Sequence, residues 1–128
     1  MFKKPDKAYE KLTLNQRSRI YGDTYIEDGE AITGIGNNVT IEFDGMDFGE
    51  SNAGKLIICG RSKLSNNSIH LKFDGDEGVK TELLEFEGSD EYIERSFSIK
   101  GAKGNNTVGF VFLPGCDFDF KYFRFVRQ

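Results

Sequence analysis

Residues 104–125 read GNNTVGFVFLPGCDFDFKYFRF, and this stretch decides the fold. A Gly/Asn turn leads into the apolar run Val108 to Leu113, which breaks at Pro114 and Gly115. After the break Phe118, Phe120 and Tyr122 alternate with Asp119 and Lys121, and the run continues through Phe123, Arg124 and Phe125. Successive side chains on a strand point to opposite faces, so a period of two marks a strand with one buried face. Proline presets its own φ and glycine accepts a positive one, which makes Pro-Gly a tight turn. Two strands joined in this way near the end of the chain predict an all-β antiparallel sandwich. Asp117 and Asp119 fall at the loop-to-strand junction, where a sandwich offers polar groups to a ligand.

The same grammar recurs upstream. Val39 to Phe43 sets Val39, Ile41 and Phe43 against Thr40 and Glu42, and Ser68 to Phe73 sets Ile69, Leu71 and Phe73 inward. Lys55 to Gly60 is a continuous apolar run, as a central strand buried on both faces would be. Val79 to Phe86, Tyr92 to Ile99, Asn106 to Leu113 and Phe118 to Val126 complete the main set, with shorter segments at Tyr9 to Leu14 and Ala31 to Thr33. Turn clusters are expected at 34–38, 44–45, 50–54, 65–67, 74–78, 88–90 and 101–106, and these hold most of the 15 glycines. No segment carries a capped helical stripe. Short strands at this spacing predict about eight to ten strands in a sandwich or barrel. Residues 1–8 read as a polar tail or linker, and 9–128 as a single module.

At 128 residues the chain is one domain, and 38% hydrophobic residues, 12 of them Phe, suffice for one core. A net charge of -4 excludes the broad basic surface of a nucleic-acid binder. No apolar run approaches the ~20 residues that span a bilayer, so no membrane partner is expected. The N-terminus has lysines without an apolar stretch behind them, which is not a signal peptide and points to the cytoplasm rather than secretion, or to a piece of a larger protein. Cys59 lies in an apolar run and Cys116 in a turn; no spacing calls for a disulfide or for zinc. His70 alternates with Ile69 and Leu71 and is expected to face outward.

Acids cluster at Asp44/Asp47/Glu50, Asp74/Asp76/Glu77 and Asp117/Asp119. The second cluster, DGDEG, lacks the spacing of a calcium loop and reads as a hairpin turn. No nucleophile elbow, catalytic triad or phosphate-binding glycine loop is present, so the chain by itself is not expected to be an enzyme or to need a cofactor. With no Trp, the plausible flat faces for a sugar ring are Tyr21, Tyr25 and Tyr92, which lie in or beside turns.

Three segments carry a resemblance: ITGIGNNVTIEFDGMDFG at 32–49, YIERSFSI at 92–99 and GFVFLPGCDFDFKYFRF at 109–125. Together they resemble the family-6 carbohydrate-binding modules, which are galactose-binding-like jelly rolls. The version most similar is the kind attached to the C-terminal side of bacterial family-2 glycoside hydrolases of the β-galactosidase type. The resemblance implies a non-catalytic module that tethers its parent hydrolase to a glycan, with carbohydrate and the parent catalytic domain as partners. It implies a sugar site at the loop end, where Gly34 and Ser89 take the positions of the family's two aromatic platforms and Asp119 that of its asparagine. The ligand-binding residues so expected are Asn37, Asp90, Tyr92, Asp117 and Asp119. The family's calcium positions correspond to Thr13, Asn15 and Lys121, which implies that the Lys121 ammonium fills the former metal space and no metal binds there. The alternative is a structural accessory domain of the same enzyme, with a degenerate sugar site, that packs on the catalytic domain or mediates oligomerisation.

Overall fold

A computed structural model describes residues 7–128 and contains nine strands with no α-helix. The strands are β1 (Leu12–Thr13), β2 (Arg19–Tyr21), β3 (Ile26–Asp28), β4 (Ala31–Ile35), β5 (Thr40–Asp47), β6 (Ala53–Gly75), β7 (Gly78–Ser98), β8 (Asn105–Phe112) and β9 (Phe118–Arg127). All pairs are antiparallel, in the order β2-β5-β8-β6-β9-β4-β3, with β7 on the free side of β6 and β1 against β9. The expected all-β sandwich, and its number of strands, are what the chain forms.

β6 and β7 are 23 and 21 residues long and belong to both layers. The second half of β6 pairs with β8 and the first half of β7; the first half of β6 pairs with β9 and the second half of β7. One layer, the β5 sheet, is therefore β2, β5, β8 and the far halves of this ribbon. The other, the β9 sheet, is the near halves with β9, β4, β3 and β1. Between them the ribbon turns a corner, with register shifts at Gly60/Ser62 and Ser62/Asn66. The turns expected at 65–67 and 88–90 are this corner: the ribbon bends there but does not reverse, with Ser65, Asn66 and Asp90 exposed and Asn67 buried in the wall. Asp44 and Gly45 likewise lie inside β5, where a register shift between Phe43 and Met46 absorbs the irregularity.

Other differences have simple causes. Lys55 to Gly60 turns Leu56, Ile58 and Gly60 to the core, whereas on its other face Lys55 is exposed, Ile57 half-buried and Cys59 covered. β2 and β3 are three-residue edge strands with no fully buried residue, so they carry no apolar alternation for a sequence to display. The segment expected at 9–14 shortens to β1 between two turns of 3-10 helix, Lys7–Tyr9 and Leu14–Gln16. Ala8 is 1% exposed and belongs to the core. The remainder of the expected tail, residues 1–6, lies outside the described residues. Asp76 and Glu77 form the two-residue hairpin loop between Gly75 and Gly78. Cys59 and Cys116 are buried free thiols.

The core is a phenylalanine lattice. Phe43 meets Phe123 edge-on at 4.8 Å between ring centroids, Phe48 meets Phe125 at 5.1 Å, and Phe86 meets Phe118 at 4.8 Å. Each such pair contributes about 0.5–1.5 kcal/mol beyond the area it buries. Phe118 and Gly60 are mutually required. A Cβ on Gly60 would lie 2.2 Å from the Phe118 ring, so the strand gives up a side chain to admit it. Phe118→Ala should therefore cost about 3–5 kcal/mol in urea unfolding, while Leu83→Ala, at a residue 53% exposed, should change stability by less than about 0.5 kcal/mol. Equal losses at the two positions would contradict this account of the core.

Candidate functional site

At the corner the ribbon meets the β3–β4 hairpin and the start of β9, and a cavity of about 500 Å³ opens among them. It is lined by Asp28, Thr33 and Gly34 from the hairpin, Arg61, Ser62 and Lys63 from β6, Ser89 and Asp90 from β7, and Asp117 and Asp119. The corner allows little variation. A Cβ on Gly88 would stand 1.9 Å from the Leu64 carbonyl oxygen, so the two strands approach closely only because this residue is glycine. Arg95 clamps the bend by donating from Nε to the Glu87 carbonyl at 2.9 Å and from Nη2 to the Gly88 carbonyl at 3.3 Å, with its guanidinium over Phe86.

Asp117 is fixed by its backbone. Ser62 Oγ donates to its carbonyl at 2.6 Å, and its N–H donates to Asn67 Oδ1 at 3.1 Å. Ser62 and Asn67 are 4% and 1% exposed, which makes them structural holders inside the wall. The Asp117 carboxylate is exposed and has no hydrogen-bond or ion-pair partner among the described residues, as is also true of Asp90. Asp119 is committed instead. Its Oδ1 accepts from the Gly34 N–H at 3.0 Å, and its Oδ2 accepts from Arg61 Nε at 2.9 Å and Nη2 at 2.8 Å. The guanidinium so placed lies over Tyr92, its Cζ 4.4 Å from the ring centroid.

Of the five expected ligand residues, Asp90, Asp117 and Asp119 line the cavity. Tyr92 lies behind Arg61, half-buried, with Lys121 Nζ also 5.4 Å from its centroid. Asn37 stands apart from the lining: its Oδ1 accepts from the Gly115 N–H at 2.7 Å and pins the Pro114–Gly115 turn. The positions matched by resemblance, Gly34, Ser89 and Asp119, all reach the cavity. Sequence reading missed Arg61, Ser62, Lys63 and Asn67, because RSKLSNNS looks like an ordinary polar turn; the one available signal was an arginine placed directly after the apolar run. Tyr21 is 52% exposed on β2, far from any convergent group, and Tyr25 packs against the core.

The expected filling of a metal space by Lys121 is not what the chain does. Its ammonium reaches across β6 to Tyr92, whereas Thr13 and Asn15 lie on the opposite side of β9 and bond to each other through Thr13 Oγ1 and Asn15 Oδ1. The bulge that shifts β9 against β6 between Cys59 and Gly60 turns Lys121 that way. No group of three or more His, Cys, Asp or Glu that could hold a metal ion occurs among the described residues.

No protein-family profile matches the chain, and no curated protein matches it. Solved structures do. A family 6 carbohydrate-binding module, whose binding subsites were dissected by crystallography and calorimetry, superposes with a TM-score of 0.79 at 19% identity over 98% of this chain and 100% of that one. CsCBM6-3 from Clostridium stercorarium, in complex with cellobiose, gives 0.77 at 16% identity over 94% and 95%. A family 43 arabinoxylan arabinofuranohydrolase from Bacillus subtilis, in complex with cellotetraose, gives 0.77 at 22% identity; 94% of this chain matches 28% of that longer enzyme. At these identities the likeness is one of fold: the chain shares the β-sandwich of these modules.

Burial, together with the Asp119 charge, raises the Tyr92 phenol above its ordinary value of 10, against the lowering influence of Arg61. The hydrogen bond to Glu94, and then burial, hold Tyr122 above the same value. At pH values above 10 the unfolded chain loses these protons while the native one keeps them, so the native state binds more protons and stability falls as pH rises. Burial also raises the Cys59 and Cys116 thiols above their ordinary value, so unfolding free energy should begin to fall above about pH 9 and fall further beyond about pH 10, and the double substitution Tyr92→Phe/Tyr122→Phe should flatten the part beyond about pH 10. An unchanged slope in the double variant would show that these phenols are not held up by the fold.

Proposed function

We propose that the chain is a non-catalytic carbohydrate-binding module and that the corner cavity holds the sugar. The observation that carries this reading is the convergence of Asp90, Asp117 and the Arg61–Asp119 pair on one open cavity at the end of a sandwich. Free carboxylates accept from sugar hydroxyls, Arg61 Nη1 donates to them, and the Gly34 backbone allows close approach. Tyr92 acts from behind, as the surface that backs the Arg61 guanidinium, and Asn37 supports the neighbouring turn. The ligands held by similar structures, cellobiose and cellotetraose in those above and xylose in a family 6 module from Clostridium cellulolyticum, make neutral gluco- and xylo-configured sugars the first candidates, with galactose next. A match to part of a longer hydrolase supports a parent glycoside hydrolase that the module directs to its glycan. The β-galactosidase type of parent rests on the sequence resemblance alone.

No bare aromatic face lies in the cavity, so affinity should be near the 1 mM range, roughly 4 kcal/mol of binding free energy. A proton–nitrogen NMR titration with cellobiose, xylose and galactose should move the amides of Gly34, Ser89, Asp90 and Asp117–Asp119, and Asp119→Ala should weaken that response about tenfold. Absence of any shift at about 50 mM sugar, well above that expected Kd, would sink the reading.

One observation favours the alternative, a structural accessory domain. The position of Tyr92 as a platform is closed off by Arg61 and Lys121 together. In that case the corner would dock on the parent enzyme. Loss of a parent hydrolase's thermal stability on charge reversal at Asp90 and Asp117, with no sugar response in the isolated chain, would mark it.

A further inference from the structure

The outward residues of the β9 sheet stand in rows fixed by strand register: Ser98–Lys55–Val126, Ser96–Ile57–Arg124 and Glu94–Cys59–Tyr122. Four cations crown this face. Lys55 and Arg124 occupy diagonal positions on neighbouring strands, about 7–8 Å apart by sheet geometry. Lys11 Nζ sits 4.2 Å from the Tyr122 centroid, and Lys121 Nζ lies over Tyr92. All four are exposed, and none makes an ion pair among the described residues. The one carboxylate in these rows, Glu94, already accepts the Tyr122 hydroxyl.

The opposite face, on the β5 sheet, has the reverse balance. There Glu42, Asp44, Asp74, Glu85 and Glu87 outnumber Arg19 and Lys72, and Arg19 is bound to Glu42 and Asp44. A chain of net charge -4 thus gathers unpaired cations on one flat sheet face. Such a concentration raises the local density of an anionic partner and steers its approach.

We propose that this face binds an acidic polysaccharide, a chain carrying carboxylates or sulfates. The chemistry of the face selects that partner. Tyr92 and Tyr122 are capped by the protein's own cations, so no ring is free to stack on a nucleobase or a neutral sugar. Its apolar residues, Ile57 and Val126, are half-buried and cannot insert into a lipid layer. What remains is a flat strip of separated cations beside serines, suited to an extended hydrophilic polyanion. The face borders the corner cavity at Tyr92, which Lys121 and Arg61 share, but it is a different surface and does not depend on the cavity binding sugar.

Affinity electrophoresis of the intact chain tests this directly. Polygalacturonate and dextran sulfate distinguish carboxylate from sulfate, and fully methyl-esterified polygalacturonate and plain dextran serve as uncharged controls. Retardation is expected with at least one charged polymer and with neither control, falling about tenfold or more between about 20 and about 200 mM salt. The double substitution Lys55→Glu/Arg124→Glu should abolish it at unchanged thermal unfolding, and Lys63→Glu, a charge reversal at the cavity lining, should leave it intact. No retardation at low salt, or retardation that survives the charge reversal, overturns the proposal. Binding of duplex DNA or phosphatidylglycerol vesicles as tight as that of the polysaccharides overturns the assignment of partner. Loss with Lys63→Glu as well would place the polymer in the cavity and overturn the separate site.

Discussion

The antiparallel pairing of β6 with β7 runs from Lys55 opposite Ser98 to the Gly75–Gly78 turn, and the rest of the molecule is arranged around it. One ribbon supplies a central strand and an edge strand to both layers, so the layers cannot be formed independently. β8 joins one half, β9 joins the other, and the phenylalanines they contribute close the space between. The bend in the ribbon then becomes the end wall of the sandwich. Its backbone cannot relax, because Gly88 touches the facing strand and Arg95 ties down the carbonyls beside it. The cavity is a consequence of that bend.

The ion pair at the cavity is better understood as a positioning device than as a source of stability. Arg61 and Asp119 are 39% and 21% exposed, a setting in which such pairs contribute about 0–1 kcal/mol. Geometry is where the pair matters. Asp119 is held by the Gly34 N–H, Arg61 is held by Asp119, and the guanidinium is pressed against Tyr92. A planar cation therefore covers a half-buried phenol ring. The surface offered to a ligand is hydrogen-bonding and charged, with the apolar face turned away.

Much of the fold was legible because strand periodicity is a local signal. Val39 to Phe43, Ser68 to Phe73 and Phe118 to Val126 each display their buried face in order. The corner was illegible for the opposite reason. Residues 61–67, polar apart from Leu64, and the glycine-led segment 88–91 look the same whether a chain reverses or only bends, and the difference lies in long-range pairing that no local pattern carries. Asp117 and Asp119 could be placed from the Pro-Gly break before them. Arg61 could not, since its role comes from Asp119 and Tyr92, far away in sequence. Asn37 was chosen for its loop and proved to hold a turn, and Lys121 was placed by analogy without the bulge that redirects it.

Because the cavity walls are strand backbone and the Asp119 carboxylate is clamped from two sides, that part of the site is preorganised. Little conformational entropy remains to be lost when a ligand enters, and few contacts suffice for a measurable complex. On the function proposed for the cavity, the same stiffness limits selectivity by adjustment: a wall that cannot move would accept or reject a ring by the placement of its hydroxyls. Discrimination between sugars of equal size would then depend on stereochemistry, down to a single axial or equatorial oxygen.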